Sequence, residues 1–169
     1  MDNKEFFPAG DRRTLKVICV ALPAGVILMT LIALSISSEK TTTLNAATLD
    51  AIRVVHVVVT AAAILIQKFL YRRILEGKIP LGWPRNIGGT FAMRYRVATI
   101  VKLALFEGSA LFGIVIILTA SIGGFLQSDP TLYLHLIPVL MLLGAAQGSY
   151  PSDQKIATLA QAYQSEPAI

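Results

Sequence analysis

The chain alternates between long apolar stretches and short polar ones. Four stretches carry almost no charge: Leu15 to Ser35, a run opening at Ala51 and closing near Leu70, Val97 to Phe125, and Thr131 to Gln147. Each is close to the ~20 residues a helix needs, at about 1.5 Å per residue, to cross a hydrocarbon layer of ~30 Å. The β-branched VVHVVV of the second run would suit a strand in a soluble sheet, but its length and the basic residues behind it suit a membrane helix. The pattern predicts an all-α fold, an integral membrane four-helix bundle forming a single domain, with helices at about 15–36, 47–70, 97–125 and 131–148. Pro23 and Pro138 fall inside two of these runs. Each removes a backbone donor, which a bundle tolerates when neighbours satisfy the freed carbonyl.

The polar stretches orient the bundle. Arg12, Arg13 and Lys16 lead into the first run, SSEKTTTLNAATL after it is nearly neutral, and QSDP before the fourth carries only Asp129. The connection at 71–96 sets Arg72, Arg73, Lys78, Arg85, Arg94 and Arg96 against a single acid, Glu76. An excess of Lys and Arg marks the cytoplasmic side, so both termini are expected there. Gly77, Pro80, Gly82 and Pro84 break that basic loop into an irregular surface segment, with Trp83 at headgroup level and the basic side chains on anionic lipid. The first run is longer than a signal-peptide core and is followed by no small-residue cleavage site, so it reads as a retained helix. After Pro151 a short surface helix is expected, with Asp153 near its start and Ile156, Leu159 and Tyr163 along one side.

Composition narrows the class. With 54% hydrophobic and 15% charged residues and a mean hydropathy of +0.65, the chain is too apolar for an ordinary soluble domain. The net charge of +5 lies at the ends of the apolar runs, which favours a membrane surface over nucleic acid. Cys19 is the only cysteine, so neither a disulfide nor a cysteine-based metal set forms within one chain. GxSxG, HExxH and the phosphate-binding glycine patterns are absent, and no enzyme activity, cofactor or metal is expected.

Candidate chemistry lies inside the apolar runs. Glu107 sits within the third, where a charged carboxylate costs ~2.5 kcal/mol or more at mid-bilayer and should therefore meet protein or water. In the second run Arg53, His56, Thr60 and Gln67 share one helical stripe. That stripe either packs toward the other helices or lines a water-filled or ion-conducting path. His135, near the outer end of the fourth run, falls at the depth of His56; two histidines relay protons or begin a metal site, but fall short of a zinc set. Thr60, Gln67 and Gln147 approach Glu107 from the inner half. Ala104, Gly108, Ser109 and Gly113, small residues around Glu107, read as a helix-packing surface.

Two resemblances join these residues. The run from Glu107 through Gly108, Ser109, Ala110, Leu111, Phe112 and Gly113 to Val115 resembles the carboxylate helix of the rotary ATP synthase proteolipid, subunit c. That family's membrane glutamate carries the translocated proton or sodium ion, a role the resemblance would give to Glu107. This chain lacks that family's glycine-repeat helix. The segment from Arg94 to Thr119, with Pro151-Ser152-Asp153-Gln154-Lys155-Ile156 after the last helix, is similar to a group of small bacterial four-helix inner-membrane proteins that share an ALxEGxALFG segment. It implies the four-helix layout and an inner-membrane location, and no activity. Two functions remain open: a non-catalytic subunit or assembly partner of a membrane complex, bound to lipid and to other membrane proteins or to itself, and a small oligomeric transporter or channel that handles protons or ions through Glu107.

Overall fold

In the computed structural model, residues 7–36, 45–76 and 91–165 are described. Lys78, Trp83 and Arg85 lie outside them. The described chain is helical throughout: α1 (Ala9–Ser35), α2 (Ala46–Leu75), α3 (Phe91–Ile122), a 3₁₀ segment (Pro130–Leu136) running into α4 (Ile137–Ser149), and α5 (Asp153–Ser165). Four helices, counting the 3₁₀ segment with α4, are long and apolar enough to cross a membrane.

Helix ends follow local chemistry. The Asn45 side chain accepts from the Ala47 N–H at 3.1 Å and caps α2, while Arg72 and Arg73 occupy its last turn, where cations complement the helix dipole. α3 stops at Gly124, whose φ of 70° is open to glycine. There the Phe125 N–H bonds to the Ala120 carbonyl at 2.9 Å and the Gly124 N–H to that of Ser121 at 3.1 Å, the paired bonds of a Schellman end.

Helix boundaries depart from the expected ones: α2 runs on to Leu75 rather than 70, which makes Arg72 and Arg73 helical instead of part of the basic loop at 71–96, α3 ends at Ile122 rather than 125, and three helix starts move. α1 begins at Ala9 rather than Leu15, because its polar first turns are held by ion pairs: Arg96 to Asp11 at 2.5 Å and Arg12 to Asp153 at 2.6 Å. α3 likewise starts at Phe91 rather than Val97, with Tyr95 buried against Phe7 and Phe91. The fourth run opens as a 3₁₀ turn, capped by the Asp129 carboxylate on the Thr131 N–H at 3.0 Å, and becomes α-helical only near Pro138.

α3 is the central element and carries the most buried residues, among them Leu103, Ala110, Ile116 and Ile117. α1, α2, α4 and the 3₁₀ segment pack on it, α4 also meets α1, and α1 and α2 hardly touch each other. α5 docks at the end of the bundle where α1 and α3 start and α2 finishes, called the near end, with Ile156 fully buried and Leu159 partly so. Tyr163 is outside the described side chains. Large apolar residues cover the outside: Leu28, Leu31, Val57, Leu65 and Leu140 are each 60% exposed or more. A contiguous apolar surface of this kind belongs against lipid or other protein.

Candidate functional site

Three residues of the polar stripe on α2 meet partners in the chain. His56 and His135 are both buried, and their Nδ1 atoms lie 2.7 Å apart. The other ring nitrogen of His56, Nε2, sits 3.0 Å from the backbone carbonyl of Ser109, and the Thr60 and Ser109 hydroxyls are 2.6 Å from each other.

The proton positions follow from one group. A carbonyl oxygen only accepts, so Nε2 of His56 carries hydrogen and donates to Ser109. In a neutral His56, Nδ1 is then a bare acceptor, and His135 donates to it from its own Nδ1. That leaves Nε2 of His135 without a hydrogen-bond partner among the described residues. His135 lines a groove of about 360 Å³ together with Arg53, Val57, Val58 and Thr131.

The third helix accommodates the pair because of Gly113. A methyl group at that position would collide with the His135 backbone carbonyl and lie 3.3 Å from the His56 ring, so only glycine lets the 3₁₀ backbone approach. Phe112 closes the side, edge-on to His56 with centroids 5.3 Å apart.

At the far end of α2, Arg53 donates to Asp129 at 2.8 Å, to Asp50 at 3.2 Å and to the Thr131 hydroxyl at 2.6 Å. The Thr131 hydroxyl, then its backbone N–H and the Arg53 guanidinium, hold the Asp129 carboxyl below the usual carboxylate range, against an opposing push from burial. The 3₁₀ segment is thus tied to α2 twice, by a charged clamp at the rim and by the histidine pair beneath it.

Gln67 is buried farther along α2 and is not part of this network. Glu107 also stands apart. It is half-buried at the edge of the α3 stripe formed by Ala104, Gly108, Leu111 and Val115, all of them exposed. Among the described residues it makes no hydrogen bond or ion pair, with Thr60, Gln67 and Gln147 included. The small residues therefore divide. Ser109 and Gly113 pack within the chain, whereas Ala104 and Gly108 face outward, and a methyl group on Gly108 would touch nothing within 4 Å.

Of the basic residues expected at a lipid surface, Arg96 instead pairs with Asp11, Arg94 donates to the Leu75 carbonyl at 3.3 Å, and Arg72 pairs with Glu76 at 2.7 Å. Arg73 lies over the Phe69 ring at 5.1 Å. Among the described residues, no three His, Cys, Asp or Glu side chains gather as a metal site.

Nothing in this arrangement makes a reactive nucleophile. Thr60 reaches His56 Nε2 at 3.4 Å, but that nitrogen already donates to a carbonyl and has no lone pair to take a proton. Compared with known protein families, with curated proteins and with solved structures, the chain matches none.

Proposed function

We propose that this chain is a non-catalytic, multi-pass integral membrane protein of a bacterial inner membrane, with both termini cytoplasmic. Its task is that of a subunit or assembly partner in a larger membrane complex. The near end, which gathers Arg12, Arg13, Arg72, Arg73, Arg94 and Arg96, is then the cytoplasmic end.

The observation that carries the reading is the position of Glu107. It lies about 7 to 8 Å deeper than Lys102 by helical rise, on a face that the chain's own helices leave open. A carboxyl there, without a partner among the described residues, is satisfied by a donor on a neighbouring helix. The small residues Ala104 and Gly108 beside it allow a second backbone to come close. The ion-path reading draws less support, because Arg53, His56 and Thr60 bond to partners inside the chain.

Photo-crosslinking in native membranes tests this. A crosslinker at Leu111 or Ala104 should capture a discrete protein partner, while one at Val57, on the outer face of α2, should capture none. Equal capture from both faces, or none from α3, overturns the reading.

A further inference from the structure

A groove of about 800 Å³ runs between α1 and α4 on a different part of the molecule. Its walls are apolar, formed by Val20, Pro23, Ala24 and Ile27 of α1 and by Leu143 and Ala146 of α4. From Cys19 to Ile27 it extends about 12 Å along the helix axis. Its mouth is polar: Gln147, Tyr150, Ser152 and Lys155 border it at the near end. Lys16 reaches the same rim, its Nζ 5.9 Å above the Tyr150 ring.

Among the described residues the charges at this mouth lean positive. Asp153 is engaged by Arg12 and Asp11 by Arg96, so neither acid is left to pair with the lysines there. Lys155 and Lys16 make no ion pair among the described residues. Burial pushes the Lys155 ammonium below the usual lysine range, with Cys19 opposing weakly, and a bound anion would offset that desolvation. Lys102 adds a third positive charge, within electrostatic reach of Lys155.

We infer that this groove seats an anionic phospholipid, one acyl chain lying between α1 and α4 and the phosphate held at the rim by Lys155 and Lys16. An open apolar groove that ends in cations without ion-pair partners among the described residues matches that amphiphile and no water-soluble anion. The inference rests on the membrane reading above but not on the docking face of α3.

The test is native mass spectrometry of the delipidated full-length chain in detergent, titrated with phosphatidylglycerol or phosphatidylcholine of identical acyl chains. Phosphatidylglycerol should bind more tightly. Lys155→Gln should weaken it about fivefold, the factor corresponding to about 1 kcal/mol per lysine at an anionic surface, and leave phosphatidylcholine unchanged. Ala24→Phe, at an exposed position on the groove wall, should abolish retention of both lipids. Equal binding of the two lipids, or unchanged phosphatidylglycerol binding in either variant, overturns the assignment. Flotation with phosphatidylglycerol vesicles separates the two levels. A chain that does not float overturns the membrane reading and the groove with it, whereas one that floats without lipid selectivity overturns the groove alone.

Discussion

Gly108 and Gly113 lie five positions apart on α3, and the same substitution should have opposite effects at the two. At Gly113 an added methyl group meets the His135 backbone carbonyl, which belongs to a 3₁₀ segment held by Arg53 and His56 and cannot swing aside. Overpacking of this kind costs about 1–3 kcal/mol. Pushing His135 away also lengthens the 2.7 Å contact between the rings, so the damage reaches a buried hydrogen bond. At Gly108 the methyl group meets nothing, and replacing glycine by alanine inside a helix gains up to ~1 kcal/mol. Thermal unfolding of the purified chain in detergent, followed by fluorescence-detected size exclusion, reads both. Gly113→Ala should lower the midpoint and Gly108→Ala should leave it unchanged or raise it. Equal shifts for the two variants would refute the packing argument, and a neutral Gly113→Ala would remove the close approach of the 3₁₀ segment.

The other predictions use the same assays. His135→Phe leaves the Nδ1 of buried His56 without a donor and should cost about 1–3 kcal/mol; with both histidines replaced by leucine, stability should recover part of that loss, and a double variant as damaged as the sum of the singles would count against a shared bond. Asp129, whose carboxyl is held below its ordinary range, contributes stability that is present above the unfolded carboxylate pKa and is lost as pH falls through the lower folded value. Asp129→Asn should therefore show a shallower loss of thermal midpoint between neutral and acid pH, and a slope like that of the wild type would exclude this clamp as its source. Glu107→Leu should leave the isolated chain as stable as before but remove co-purifying partners, whereas Glu107→Gln should keep them if hydrogen bonding suffices; partners retained by the leucine variant would argue against docking at α3.

The number of helices was legible because runs of bilayer length need only be counted. The stripe of Arg53, His56 and Thr60 was legible too, since polar residues at helical spacing in an apolar run stand out. The common depth of His56 and His135 followed from where each lies along its run. What could not be read was the orientation of α3. Its sequence is apolar nearly all round, so no hydrophobic pattern distinguishes the face of Ser109 and Gly113 from that of Ala104 and Gly108. Neighbouring helices decide that, through contacts such as the His135 carbonyl against Gly113. Early starts of α1 and α3 were hidden for a related reason. The first turns of α1 are polar and those of α3 mixed, and both are held by pairings between distant positions, Asp11 with Arg96, Arg12 with Asp153 and Phe7 with Tyr95, which local patterning does not reveal.

The scant contact between α1 and α2 bears on how such a chain is built. A ribosome delivers both helices before α3, and helices that hardly touch among the described residues gain little from each other until the third arrives. Assembly then waits on the second half of the chain. Once α3 is in place it receives α2 along one flank and α1 along another, and the last hairpin closes over the histidines. Two fragments divided between α2 and α3 should accordingly differ in kind: the first a pair of helices with little mutual packing, the second the scaffold on which they gather.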